Sequence, residues 1–275
     1  MVAMQNKLSP MDRVVIIGTF ASFLVSFLVL RLSSFSASTM VNSQNYIVKT
    51  MILSTTGMTT LDALSTALKP FTYVFISLIF FVLAISLMSF YGYKNKSRRV
   101  GIIIGLLSAA AAIILFETIW GVFLAVAVFV CSFYSAQFSN TYSKELKRWI
   151  FFRTGSNTAG KVMFMANIVI SLGLFLAVLQ SQAAYEVTFR HDLTDSMRSI
   201  VMSTPGASLL SQATLDQKID TAISSSTLFQ SYIRWLPVMT AFGAWVVLEF
   251  LRNVILANLS GVFTFILLKK SENKK

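Results

Sequence analysis

Residues 100–138 read VGIIIGLLSAAAAIILFETIWGVFLAVAVFVCSFYSAQF, with a single charged side chain, Glu117, near the middle. A membrane helix needs about 20 mainly apolar residues. The run is too long for one crossing and suits two. A carboxylate in mid-bilayer costs several kcal/mol unless it is compensated. Glu117 therefore belongs at a turn, and the run predicts a hairpin over 100–116 and 119–138. Trp120 beside that turn is expected to act as an interfacial anchor.

The rest of the chain repeats this texture. Hydrophobic residues make up 55% of the 275 and charged residues only 12%, about half of what a soluble domain carries. Too few charges remain to cover a water-facing globule, which excludes an ordinary soluble enzyme. The balance is also the opposite of a disordered chain. The expected fold is all-α, a polytopic membrane helix bundle of about six spans: 14–31, 71–91, 100–116, 119–138, 162–183 and 235–268. The first is read as a retained helix, because its apolar core is longer than the 7–15 residues typical of a signal peptide; a cleaved leader is the alternative. The last is one long helix or two short spans, since Arg252-Asn253 interrupts it, and seven spans are the alternative count.

Four connecting segments complete the single membrane domain. Segments 32–70 and 184–231 are rich in Ser and Thr and are expected outside and partly helical. In the first, Met58, Leu61, Leu64 and Leu68 recur at helical spacing. In the second, Thr204-Pro205 reads as a helix start, and Leu209, Leu210, Leu215, Ile219 and Ile223 fall near one stripe. Segments 94–99 and 139–161 are basic and are expected as inner loops.

Charge supports this placement. The chain carries 23 Lys+Arg and 11 Asp+Glu, a net +12. Cytoplasmic segments are enriched in Lys and Arg. With six spans and both termini inside, 16 bases and 4 acids fall inside, counting Arg252 near the inner end of the last span. The outside holds 7 of each. The basic excess therefore reads as orientation and as contact with anionic headgroups on the inner face, through Lys94, Lys96, Arg98, Arg99, Lys147, Arg148, Arg153 and Lys161. Nucleic acid is the weaker reading of these patches.

Catalytic chemistry is poorly represented. One Cys, Cys131, and one His, His191, leave no zinc, haem or copper ligand cluster. Gly155–Lys161 matches G-x-x-x-x-G-K, but Val162 stands where a P-loop needs Ser or Thr for magnesium. It is expected to be a juxtamembrane turn. No cofactor is expected. Two features remain. Gly101, Gly105 and Ala109 form a small-residue row suited to close helix packing. Glu249 and Arg252, at i and i+3, share a helix face at membrane depth, either as a structural ion pair or as part of a polar path that Asn167, Asn253 and Asn258 extend.

These features predict a non-enzymatic scaffold, anchor or accessory subunit of a membrane complex, multi-pass in the cell membrane. It would present its outer segments to membrane or extracytoplasmic protein subunits. The alternative is a small transporter or channel that uses Glu249 and Arg252.

Overall fold

A computed structural model describes residues 10–52, 71–95, 99–202 and 212–273. Among these residues the regular structure is helical and no strand occurs. The elements are α1 (Pro10–Leu32), α2 (Ala37–Ile52), α3 (Phe71–Lys94), α4 (Arg99–Leu115), α5 (Ile119–Glu145), α6 (Ile150–Gln180), α7 (Gln182–Met202), α8 (Gln212–Ser225) and α9 (Thr227–Leu251). A π segment, Arg252–Leu256, follows and leads into α10 (Ala257–Glu272). Five helices are long and apolar enough to cross a membrane: α1, α3, α5, α6 and the continuous stretch Thr227–Glu272. The apolar α4, at 17 residues, is shorter. The chain is an all-α polytopic membrane bundle.

The described chain falls into two compact units. The first comprises residues 1–34, 71–173 and 243–275. Its interior mixes large residues such as Phe23, Phe27, Ile85, Met88 and Tyr91 with glycines and hydroxyls. On α4 the residues turned inward are Val100, Gly101, Ile104, Gly105, Ser108 and Ala112. Leu106, Leu107, Ile113 and Ile114 face outward. Lipid is as apolar as leucine, so large side chains gain nothing by facing in, and small residues let backbones approach. A Cβ on Gly101 would come within 2.8 Å of the Ser132 carbonyl of α5, and one on Gly105 within 2.8 Å of Phe129. The inward row continues through Ser108 and Ala112, while Ala109 is half-buried. On α3, a Cβ on Gly92 would overlap the backbone of Ala136.

Hydroxyls reinforce these contacts. Ser26 and Ser77 bond at 2.8 Å between α1 and α3, and Ser86 and Ser260 at 3.0 Å between α3 and α10. Ser139 donates to the Ser89 carbonyl at 2.5 Å. The spacing Thr19, Ser22, Ser26 and again Ser132, Ser135, Ser139 puts each set on one helix face (i, i+3, i+7), and all six are buried.

Polarity within this unit follows from its contacts. Arg31, closing α1, donates to the Leu115 carbonyl that closes α4. Lys94, closing α3, donates to Ser271 at the close of α10. Tyr93 stacks edge-on against Phe151 of α6, which lies 6.5 Å from Phe265 of α10. The start of α1, the α3–α4 and α5–α6 connections and the end of α10 therefore share one end. Among the described residues that end carries nine bases (Arg13, Lys94, Arg99, Lys144, Lys147, Arg148, Arg153, Lys269, Lys270) against Asp12, Glu145 and Glu272.

The second unit comprises residues 35–70 and 174–242. Here large apolar residues gather in one cluster. Leu215, Ile219 and Ile223 of α8 form one stripe, meeting Phe189 and Leu193 of α7 and Phe229 and Ile233 of α9. Val48 of α2 and Met197, Val201 and Tyr232 close the cluster. Phe189 stacks on Phe229 at 5.9 Å between ring centroids.

Several expectations change. The stretch 139–161 is not a loop, since α5 runs through Glu145 and α6 starts at Ile150. The G-x-x-x-x-G-K stretch lies inside α6, so its amides are engaged along the helix and cannot cradle phosphates; a Cβ on Gly155 would collide with Ser260 and Thr264 instead. Trp120 is no interfacial anchor, being 7% exposed and packed edge-on against Phe116. Glu117 does lie in the bend between α4 and α5. The chain does not reverse at Arg252-Asn253, and Thr227–Glu272 is one helix of 46 residues. The helix expected around Met58–Leu68, the Thr204-Pro205 start with Leu209 and Leu210, and Lys96 and Arg98 lie outside the described residues.

Candidate functional site

Glu249 and Arg252 form the one ion pair among the described residues of the first unit. One carboxylate oxygen lies 2.6 Å from the guanidinium, and the two side chains are only 12% and 16% exposed. The π segment begins at Arg252, whose carbonyl accepts from the Ala257 N–H in an i to i+5 bond. The extra residue in this turn shifts the helical register.

The partners on α6 are Gly160, Phe164 and Asn167. Their spacing (i, i+4, i+7) places them on one helix face. Arg252 donates from Nη1 to the Gly160 carbonyl at 2.8 Å. Its guanidinium sits 5.2 Å over the Phe164 ring. Asn167, itself buried, donates to the other Glu249 oxygen at 2.7 Å. Each charge thus has the opposite charge plus a polar or aromatic neighbour, which such groups need away from water. Arg252 Nε is buried with no hydrogen-bond partner. The group acts as a cross-brace between α6 and the α9–α10 helix. Asn253 and Asn258 do not extend it: both are exposed, and Asn258 bonds back to Val254 of its own helix at 3.0 Å.

This brace sits away from the basic end. Arg252 lies 17 residues before Lys269, about 26 Å of helix. Lys161, next to the Gly160 acceptor, is carried to the same level and separates from Lys147, Arg148 and Arg153. Arg252, counted near the inner end of the last span, and Lys161, expected at the inner headgroups, therefore both lie deeper along their helices than the basic end. Helix where a loop was expected adds 1.5 Å per residue along the axis.

The second unit offers a different surface. Arg190 of α7 reaches Asp220 of α8 at 3.1 Å and Glu186 at 3.4 Å, and lies 5.3 Å over the Phe229 ring. Arg198 reaches Asp216 at 2.8 Å and Asp195 at 3.2 Å. His191 contacts Asp195 at 3.3 Å. These residues tie α7 to α8 as a lattice of ion pairs. The described charges of this unit balance, with Lys49, Arg190, Arg198, Lys218 and Arg234 against Glu186, Asp192, Asp195, Asp216 and Asp220.

The sequence reading missed one polar joint here. Pro237 inside α9 has no N–H, so the Ile233 carbonyl loses its helical donor. Gln182 at the start of α7 supplies a substitute from Nε2 at 2.6 Å. Tyr232 donates to Asn45 at 2.6 Å, and Thr240 meets Gln44 at 2.8 Å, fixing α2 against α9. The signal was present: a proline within an apolar helix needs a side-chain amide or hydroxyl nearby.

No family model, curated protein or solved structure matches this chain.

Proposed function

We propose that this protein is a non-enzymatic integral membrane component, a scaffold, anchor or accessory subunit, that presents its second unit to a protein partner outside the membrane. In this reading the basic end of the first unit faces the cytoplasm, with both termini there. The observation that carries the reading is the construction of the second unit. It has an aromatic and aliphatic core of its own and a charge-balanced ion-pair lattice, features suited to a rigid recognition surface in water. Its surface also exposes large apolar side chains, Val187 of α7 and Leu228 of α9, at 68% and 78%. The Glu249–Arg252 group, closed on itself, supports a bracing role over a conducting one.

One observation favours the small transporter or channel reading: a π turn begins at one of the paired charges, and π turns are frequent at functional sites. The two readings separate in one experiment. The full chain is isolated from its native membrane as wild type, as Val187→Glu/Leu228→Glu and as Glu249→Met/Arg252→Met. Each preparation is analysed for stoichiometric partners by native mass spectrometry and for ion flux in proteoliposomes. The scaffold reading expects a stoichiometric partner that the Val187/Leu228 variant loses and the Glu249/Arg252 variant keeps, with no flux in any of them. Flux by the wild type that vanishes in the Glu249/Arg252 variant would replace it with the transporter reading.

A further inference from the structure

At the basic end of the first unit, the α5–α6 connection and α10 enclose an open cleft of about 260 Å³. Its lining is Lys147, Trp149, Ile150, Phe151, Phe152 and Phe265. Five of the six are apolar or aromatic, and the sixth is a cation. The aromatic walls are held from behind: Tyr93 packs edge-on against Phe151, and Phe152 lies where a Cβ on Gly261 would fall. A second cation caps the opposite wall, with Lys269 Nζ 5.6 Å over the Phe265 ring. Arg148, Arg153 and Lys270 flank the cleft in sequence. Among the described residues none of these five bases forms an ion pair with a carboxylate.

The connection itself is built to hold this shape. Trp149 has φ of 53°, in the left-handed region that a bulky side chain rarely adopts. The tight link Leu146–Trp149 leaves its indole 78% exposed beside Lys147. A more relaxed backbone would need a longer connection or a glycine. The strained residue brings a cation and an indole to the mouth of an aromatic cleft, at the end of helices that cross a membrane. Tryptophan at such a level sits among headgroups.

We propose that this cleft is a binding site for one anionic phospholipid, with the phosphate between Lys147 and Lys269 and the upper acyl chain against Phe151, Phe152 and Phe265. Charge complementarity selects the occupant. The cleft lies at the end of helices long and apolar enough to span a membrane, its floor is apolar, and Lys147 is the one charged residue that lines it, so a zwitterionic lipid would leave Lys147 and Lys269 without net compensation. The site is independent of the proposed partner surface.

Brominated lipids test it in the full chain. Trp120, Trp235 and Trp245 are replaced by Phe, leaving Trp149 as the emitter, and the protein is placed in nanodiscs of phosphatidylcholine. Brominated phosphatidylglycerol or brominated phosphatidylcholine is then titrated in. The expected result is quenching at lower mole fraction by the anionic lipid. Lys147→Ser and Lys269→Ser should each weaken this preference about fivefold, and millimolar inorganic phosphate should leave it unchanged. Lys218→Ser, in the other unit, should also leave it unchanged. Equal quenching by the two lipids would overturn the proposal, as would a preference that survives the double Lys147→Ser/Lys269→Ser variant. Since both lysines are exposed at the surface, neither replacement threatens the fold, and circular dichroism of each variant confirms it.

Discussion

The two units of this chain bury different mixtures of side chains. In the first, buried hydroxyls and glycines share the interior with large residues such as Phe23, Ile85 and Met88; on α4 Gly101, Ile104, Gly105 and Ser108 are inside and Leu106, Leu107 and Ile114 outside. In the second, Phe189, Leu193, Leu215, Ile219 and Ile223 are inside and the charges are outside. The proposed surroundings, lipid for the first and water for the second, account for the difference. Water rewards burial of large apolar groups, whereas lipid does not, so in lipid close approach and hydrogen bonds hold helices together. Charge follows the same division. Among the described residues the first unit gathers nine bases at one end, and the second carries five bases and five acids.

The comparison can be broken most severely at Phe189. Phe189→Ala should destabilise the second unit by about 3–5 kcal/mol, as large-to-small changes in an aqueous core do; thermal unfolding followed by hydrogen exchange in α7 and α8 would measure it. Leu106→Ala, of comparable chemistry on the lipid-facing side of α4, should change stability by less than about 0.5 kcal/mol. Equal costs at the two sites would end the distinction.

Next in size is the brace. Arg252→Met leaves the Glu249 carboxylate buried with only Asn167 beside it, and should cost about 3 kcal/mol or more. Adding Glu249→Met should recover most of that loss, because both charges are then gone. Thermal melting in lipid nanodiscs reads both variants. A double variant no more stable than the single one would show that the pair does more than brace.

Smaller effects sharpen the contrast. Gly92→Ala forces a Cβ into the Ala136 backbone and should cost about 1–3 kcal/mol by separating α3 from α5. Removing one interhelical hydroxyl bond, with Ser86→Ala and Ser260→Ala, should cost only about 0.6 kcal/mol, the average found for such bonds in membranes. Asp220→Asn in the second unit should cost less than about 1 kcal/mol, and raised salt should diminish the effect. The Ser86/Ser260 effect should not respond to salt.

Much of the first unit was legible in sequence, because one rule dominates it. The hairpin over 100–138 follows from run length and from the cost of Glu117 in lipid. Helix boundaries were not legible at 139–161, where polar residues were read as a loop. Ser, Asn and Lys also fit a helix that buries some of its hydroxyls, as Ser139 and Thr154 are buried, and turns its other polar residues outward. Composition could not separate these cases. The Glu249–Arg252 pairing was visible in its i, i+3 spacing. Its α6 partners were not, apart from Asn167, because a backbone carbonyl such as that of Gly160 carries no sequence signal. Depth is hidden for the same reason as the loop: a continuous helix places Arg252 about 26 Å from Lys269, and Lys161 about 12 Å from Arg153.

Under the proposed topology the basic end of the first unit is cytoplasmic and the second unit is exposed to water outside the membrane. Cysteine labelling tests it most directly. Cys131 is buried, so a new cysteine is the accessible thiol. Lys218→Cys, on exposed α8, and Lys275→Cys, at the basic C-terminus, are each treated with a membrane-impermeant maleimide on intact cells. The account predicts labelling at position 218 and none at 275 until the membrane is permeabilised. Labelling at 275 from outside, or protection of 218, would contradict it.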